Sequence, residues 1–145
     1  MTSPQQHPSP TPQHRILDRD WATQWLGLEV LDLAPRYAKT RMRVREEMLN
    51  GFGIAHGGMI FSLADTTFAL ACNDAAGDGS TVTVAHGVDI NFISPAPAGS
   101  TLIAEGRELA STGRSGVYDV TVTREGEQGG VVALFRGRCR TIPAR

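Results

Sequence analysis

The chain is poor in cysteine and in aromatic residues, and it contains no long apolar run. Its 145 residues include 2 cysteines, and aromatic residues make up 6% of the total. Neither Cys72 nor Cys139 lies in a zinc-binding spacing, and two cysteines cannot form a disulfide scaffold. No apolar run reaches the roughly 18 residues that a membrane-spanning helix needs. These absences argue against a disulfide-stapled fold, a zinc site and a membrane anchor.

Neither positive nor negative charge is in clear excess. The 14 basic and 15 acidic residues give a formal net charge of -1. A dedicated nucleic-acid-binding protein normally has a clear basic excess, so that class is not indicated. The proline-rich residues 1–15 contain no apolar segment, which predicts a disordered tail rather than a signal peptide. One domain over residues 16–145 is therefore predicted, in the cytoplasm.

The pattern of apolar residues predicts an order of elements. Leu17, Trp21 and Trp25 recur at helical spacing and predict a short helix over 17–26, with both tryptophans in the core. A second helix is predicted over 57–76, where apolar residues go almost all the way round. Alternation and turn residues predict six strands: 28–34, 37–44, 81–93, 101–110, 117–124 and 131–142.

This order favours an α+β fold in which one antiparallel sheet wraps around one long central helix. A single sheet cannot easily cover such a helix on every side. The uncovered face predicts a homodimer in which the helices of the two chains pack against each other.

The segment from Asn50 to Asp65 contains the residues that could take part in binding or catalysis. His56, Gly57 and Gly58 open the long helix, where unpaired backbone N–H groups and the helix dipole can hold an oxyanion. Asp65 follows Gly57 by eight residues, about 12 Å along the axis. One helix cannot bring both residues to the same atom. Two antiparallel helices in a dimer could, with Gly57 of one chain facing Asp65 of the other.

At these residues the sequence resembles the hotdog-fold acyl-CoA thioesterases of the phenylacetic-acid-degradation (PaaI) type. The resemblance covers about residues 16–142. His-Gly-Gly followed eight residues later by Asp in an alanine-rich helix is its central feature. The matching stretches are LNG at 49–51, HGG at 56–58, FSLADTTFALACN at 61–73, NFISPAPAG at 91–99, TGRSGVYDV at 112–120 and VALFRGRCR at 132–140.

The resemblance implies hydrolysis of a thioester. Asp65 corresponds to the family's catalytic carboxylate, and the Gly57 N–H would polarise the thioester carbonyl. Asn50 and His56 match positions in the loop that orders the site. Asp65 would either deprotonate water or attack the carbonyl itself, and the residues do not choose between these roles.

The resemblance also implies the substrate and the partners. Aryl-acetyl-CoA, of the hydroxyphenylacetyl-CoA type, is the substrate class implied, and CoA is part of that substrate, so no separate cofactor or metal is expected. The family's architecture implies a homodimer that shares its active site, assembled as a dimer of dimers. The CoA moiety would contact Gly58, Ser94, Gly113, Arg114 and Ser115.

Other interpretations of the same residues remain open. Asp65 could be a buried residue paired with an arginine, His56 a helix cap, and Asn50 part of an ordinary turn. The row of Arg136, Arg138 and Arg140 could be a solvated face or a basic lip for CoA phosphates. The whole domain could bind acyl-CoA without catalysis. A hydratase of the same fold is less compatible, because the helix carries Asp and no His.

Overall fold

The computed structural model describes residues 11–126 and 129–145, which form two α-helices and six strands. The helices are α1 (Trp21–Leu26) and α2 (Gly57–Cys72). Short 3-10 turns occupy Arg15–Leu17 and Glu46–Met48. The strands are β1 (Glu29–Ala34), β2 (Tyr37–Arg43), β3 (Thr81–Phe92), β4 (Thr101–Thr112), β5 (Ser115–Arg124) and β6 (Val131–Pro143).

The six strands form one antiparallel sheet in the order β1-β2-β4-β5-β6-β3. The consecutive strands β4, β5 and β6 lie at its centre, while β1 and β3 are its edges. Strand β3 pairs with β6 rather than with its neighbours in sequence, and its register shifts between Ala85 and Gly87. The predicted α+β architecture is therefore confirmed.

Helix α2 packs against one face of this sheet. Alternate residues of β2, β4, β5 and β6 are buried, which is the pattern of strands with one face toward a core. From α2 they meet the fully buried Leu63, Ala64 and Phe68. The buried hydroxyls of Thr40 and Thr67 form a hydrogen bond with each other, with 2.7 Å between the two oxygens.

One side of α2 is left open by the sheet, as the apolar pattern predicted. Ser62, Asp65, Thr66 and Ala69 are only partly buried. The edge strand β3 is also poorly covered, since Val84 is 42% and Phe92 is 52% exposed. In the described residues, nothing from this chain fully covers these two surfaces.

The prediction for the first helix is wrong in its start and in its buried face. Helix α1 begins at Trp21, because Asp20 caps it, and its buried residues are Thr23 and Leu26. Trp21 and Trp25 lie outside the core and are 68% and 51% exposed. The indole of Trp25 packs instead under the guanidinium of Arg45, 4.9 Å from the ring centre.

The long helix also ends four residues earlier than predicted, at Cys72. Asn73 has an extended backbone, and its side chain bonds the Ala69 carbonyl and both backbone groups of Thr83. These bonds stop the helix and tie its end to β3.

The predicted tail lies largely outside the described residues, which begin at residue 11. Within the described part, His14 is 5% exposed, and its Nε2 lies 2.7 Å from the Asn73 carbonyl oxygen. Its Nδ1 accepts a hydrogen bond from the Ile16 N–H. His14 is therefore part of the packed domain. No helix among the described residues is long and apolar enough to cross a membrane.

Candidate active site

The loop before α2 is held by hydrogen bonds on both sides. The Asn50 carboxamide oxygen accepts from the Phe52 N–H at 2.9 Å and the Ile54 N–H at 3.4 Å. The Ala55 N–H donates to the Ala96 carbonyl, and the His56 N–H donates to the Met48 carbonyl. This short loop is therefore fixed where the helix begins, and the Asn50 Nδ2 group has no partner among the described residues.

His56 is the N-cap of α2. Its Nδ1 accepts a hydrogen bond from the Gly58 N–H at 3.0 Å. The capping interpretation of His56 is thus confirmed, and the N–H of Gly58 is already used. The N–H of Gly57 is different, since no acceptor is paired with it among the described residues.

Gly57 opens into a cleft of about 510 Å³. Asn50, Ile60, Phe92 and Ser94 contribute to its walls. A Cβ atom on residue 57 would lie 3.0 Å from the end of the Phe92 ring, so a larger residue would require the ring or the helix start to shift slightly. A free N–H at a helix N-terminus, beside an apolar ring, is suited to hold a developing oxyanion.

Asp65 lies two turns further along α2 and is not part of this cleft. No arginine, lysine or hydrogen-bond donor pairs with its carboxylate in the described chain. Partial burial, and after it the negative charge of Asp20, raise the pKa of Asp65 above its ordinary value. The interpretation of Asp65 as one half of a structural ion pair therefore has no support here.

Of the residues predicted to contact CoA, Gly58 lies in the first turn of α2, where its N–H is bonded to His56, and the other four fall into two places. Ser94 lies in the Gly57 cleft, and its hydroxyl donates to the Val131 carbonyl at 2.6 Å. Gly113 and Arg114 form the β4–β5 turn, where Gly113 has a positive φ of 57°, and Ser115 begins β5. The structure does not bring this turn and the Gly57 cleft together.

A second cleft of about 380 Å³ lies beside that turn. Ser115 lines it together with His86, Arg138 and Arg140. The two arginines belong to the row that the sequence left open as a solvated face or a basic lip, whereas His86 was not predicted for this place. Arg138 pairs with Asp89 at 2.8 Å, whereas Arg140 has no acidic partner among the described residues. Spacing along the sequence gave no signal for His86, because it lies at the register shift of β3.

The arginine row on β6 is therefore not uniform. Arg136 makes a bidentate pair with Asp119, with distances of 2.7 and 2.9 Å. Together with the pair of Arg138 and Asp89, this makes two of the three arginines part of a charged ladder on the outer face. No group of three or more His, Cys, Asp or Glu side chains in the described ranges could hold a metal ion.

Comparisons with known proteins agree on one family. Residues 52–131 match the thioesterase superfamily. The acyl-coenzyme A thioesterase PaaI of Escherichia coli K12 is 36% identical over 129 residues, which cover 89% of this chain and 88% of that protein.

Solved structures give the same result. The PaaI protein from the phenylacetic acid degradation operon of E. coli superposes with a TM-score of 0.82 at 35% identity, covering 90% of each chain. The TT0310 protein of Thermus thermophilus superposes with a TM-score of 0.75 at 38% identity, covering 84% of this chain and 97% of the other.

The chain therefore belongs to the thioesterase superfamily and has the hotdog fold. Its class is that of the thioester hydrolases, which confirms the enzyme class predicted from the motif around Asp65.

Proposed function

We propose that this protein hydrolyses acyl-CoA thioesters, with aryl-acetyl-CoA esters as its preferred class, in the catabolism of aromatic acids. The observation that carries the proposal is the pair of unpartnered groups on α2, the Gly57 N–H and the Asp65 carboxylate. One is a donor for a carbonyl oxygen, and the other is a base or nucleophile. The named activity of the E. coli relative supports the acyl-CoA part.

The chemistry follows from those two groups. The thioester carbonyl oxygen accepts a hydrogen bond from the Gly57 N–H, which strengthens as negative charge develops on that oxygen. Asp65 either takes a proton from the attacking water or attacks the carbonyl carbon. In both cases the carbon–sulfur bond breaks, and CoA leaves as a thiolate that takes up a proton. When water attacks, the carboxylic acid forms directly; when Asp65 attacks, a mixed anhydride forms, and a water molecule then hydrolyses it to the acid and free Asp65.

The test is thiol release from a panel of acyl-CoA esters that includes phenylacetyl-CoA, hydroxyphenylacetyl-CoA and straight-chain esters. Asp65→Asn is the matched control, since it keeps size and removes the charge. We expect turnover by the wild type, fastest with aryl-acetyl esters, and almost none by the variant. Binding of the esters without thiol release would instead make this a non-catalytic acyl-CoA-binding domain.

We further propose that the active site is shared between two chains of a homodimer. In one chain Gly57 and Asp65 are about 12 Å apart along the helix axis. The open side of α2 and the exposed edge strand β3 provide a surface on which a second copy could place its Asp65 near this Gly57. The family resemblance supports assembly of two such dimers into a tetramer.

Mixed dimers test the shared site. Gly57→Ala and Asp65→Asn each disable a homodimer. A heterodimer of the two variants contains one intact site only if Gly57 and Asp65 come from different chains. We expect mixing after partial unfolding and refolding to restore up to half the wild-type activity per dimer. Absence of any recovery in dimers shown to be mixed would place each site within one chain.

We also propose that the second cleft, at the β4–β5 turn, binds the phosphate groups of CoA. Arg140 is unpaired there among the described residues, and Ser115 lines the cleft beside it. Strand β3 connects the two clefts, because Phe92 lies at the Gly57 site and His86 at this one. Six residues of strand span about 20 Å, a separation comparable to that between the sulfur and the phosphates of CoA.

A truncated substrate tests this assignment. Arg140→Ala should raise KM for an acyl-CoA about tenfold with little change in kcat, since a charged hydrogen bond is lost. The same variant should be normal toward an acyl-N-acetylcysteamine thioester, which has no phosphates. Arg136→Ala, on the same strand face but paired with Asp119, is the matched control. Equal effects on both substrates would rule out phosphate binding by Arg140.

Finally, we propose a cytoplasmic location. Both cysteines are free thiols in this structure, and free thiols are usual in reducing compartments.

A further inference from the structure

Helix α1 brings a second carboxylate close to the turn of α2 that carries Asp65. Asp20 caps α1, and its two oxygens accept from the Thr23 N–H at 3.0 Å and the Thr23 hydroxyl at 2.7 Å. The Thr23 hydroxyl also lies 3.0 Å from the Thr66 hydroxyl. Thr23 has one hydroxyl proton, which goes to Asp20, so Thr66 is the donor in that last bond.

These hydrogen bonds connect the Asp20 carboxylate to the residue next to Asp65. Thr23 is buried at 5% exposure, so the link runs through the packed contact between the helices. Asp20 therefore has a defined position relative to the catalytic turn, and its location does not depend on a mobile side chain. Both of its oxygens are occupied by neutral donors.

The charge of Asp20 is not cancelled locally. Neither Asp20 nor Asp65 forms a salt bridge with any cation in the ranges that the structure describes. Burial is the main reason that the pKa of Asp65 is raised, and the negative charge of Asp20 is the second. A negative charge near a partly buried carboxyl group disfavours the ionisation of that group.

The other elements packed on α2 offer little that competes with this effect. On β5 and β6 the inward-facing titratable groups are Tyr118 and Cys139, and both interact with Cys72 and Glu108 rather than with Asp65. Cys72, on α2 itself, is influenced by Asp65. On β4, Glu108 follows the same alternation as the buried residues and is half-buried, but it is paired with Arg36 at 3.0 Å. The other inward-facing side chains of β1, β2, β3 and β4 are neutral.

We propose that Asp20 is a positioning residue for the reaction: its fixed carboxylate acts through space on Asp65 and makes Asp65 a stronger base or nucleophile. This inference rests on the proposed function, because it assigns a purpose to the basicity of Asp65. The bond between Thr66 and Thr23 keeps the two helices, and so the two carboxylates, at a constant separation.

Two opposite effects follow when the charge of Asp20 is removed. Asp65 then ionises at lower pH, so the acid limb of the pH profile of kcat/KM moves to lower pH. A less basic carboxylate is also a weaker catalyst once it is ionised, so the plateau at higher pH falls. A purely structural defect would lower the rate at every pH and would leave the position of the acid limb unchanged.

The experiment compares Asp20→Asn with Asp18→Asn. Asparagine is also a good N-cap, so the first variant keeps α1 while it removes the charge. Asp18 is an exposed aspartate two positions before Asp20, so the second variant makes the same charge change at a different place. We expect the acid limb to shift and the plateau to fall in Asp20→Asn, with neither change in Asp18→Asn.

A measurement that needs no turnover separates this inference from the proposed function. The side-chain carboxyl ¹³C signal of Asp65, assigned with Asp65→Asn, is followed by NMR as the pH is changed. Its midpoint should fall in Asp20→Asn, and in Asp20→Ser, a second neutral cap, should the first variant fold poorly. An unchanged midpoint overturns the inference even if thioesters are hydrolysed. Absence of thiol release by the wild type would refute the proposed function, and with it the role of Asp20 in the reaction, whereas a lower midpoint in Asp20→Asn would still show that Asp20 acts on Asp65.

Discussion

The first turn of α2 and its third turn are built in opposite ways, although both belong to one helix. At Gly57 the proposed functional group is a backbone N–H, fixed by the cap of His56 and by the loop in front of it. At Asp65 it is a side chain with no hydrogen-bonding partner in the described chain, and its charge state depends on burial and on Asp20. Position is controlled at the first turn, and basicity is controlled at the third.

Removal of the Asp65 carboxylate should have the largest effect and tests whether the third turn supplies the base or nucleophile. We expect Asp65→Asn to lower kcat by about 10³-fold or more, because a general base or nucleophile typically contributes roughly 10²–10⁴. Circular dichroism should show an unchanged fold, since no bond in the described chain depends on this carboxylate. Retention of most of the activity would move the chemistry away from the third turn.

Displacing the Gly57 N–H tests whether its position in the first turn matters for catalysis. The added Cβ in Gly57→Ala meets the Phe92 ring at 3.0 Å, so either the ring or the helix start must shift. Such misplacement should lower kcat by about 10²-fold, with a smaller change in KM. Combining it with Phe92→Leu, which makes room, should recover part of the loss. A double variant no better than Gly57→Ala would show that the contact with Phe92 is not the cause.

Loss of the cap should affect stability more than chemistry. His56→Ala removes the acceptor for the Gly58 N–H and should lower the free energy of unfolding by about 1 kcal/mol. Urea denaturation at constant protein concentration measures this. His56→Asn supplies another capping side chain and should restore the stability. If the asparagine variant were as unstable as the alanine variant, His56 would stabilise the protein by packing and not by capping.

The smallest expected effect is a pH-dependent gain in stability on removal of Asp65. Folding raises the pKa of this carboxyl, so the folded state disfavours its ionisation. That penalty is absent below the ordinary pKa of Asp and grows as pH rises through the raised pKa. Asp65→Asn should therefore have a higher Tm than the wild type at neutral pH, and the two should converge in acid.

Asp78 provides a control of opposite sign. Hydrogen bonds from Ser80 lower the pKa of Asp78. Asp78→Asn should therefore be less stable than the wild type at pH values above the ordinary pKa of Asp, and equally stable in acid. Two aspartates of one chain would then show opposite pH dependence. The same trend in both variants would contradict the assignment of the Asp65 shift to burial and to Asp20.

Much of the fold was predictable because its elements repeat simple patterns. Six strands were expected from alternation and turn residues, and the start of α2 was correct at Gly57. The errors occurred where tertiary contacts outweigh local pattern. Trp21 and Trp25 have helical spacing but face solvent, because the buried residues of α1 are Thr23 and Leu26. The end of α2 is set by Asn73, whose partners lie on a strand.

The sequence motif proposes residues for the site but not how they are arranged in space. Gly57 and Asp65 were identified from one continuous motif, and the described part of the structure leaves both groups unpartnered. Phe92, which packs against Gly57, and Arg140, which accompanies Ser115, come from distant segments. Asp20 lies 45 positions before Asp65. No spacing rule connects residues whose proximity depends on how a helix packs onto another helix.

The sequence by itself determined which groups are available: a glycine-opened helix, one carboxylate in an otherwise apolar and neutral run, and strands that can shield them from water. These are local properties, fixed by side-chain type and by the period of the backbone. Only the tertiary structure decided which of the groups are free. In the folded chain the N–H of Gly58 donates to the capping side chain of His56, whereas the N–H of Gly57 has no acceptor among the described residues. The packing of α1 on α2 also places Asp20 beside the turn of Asp65. Hydrogen bonding, burial and charge–charge distance depend on all the residues that are neighbours in space. The pattern of residues along the sequence does not identify those neighbours.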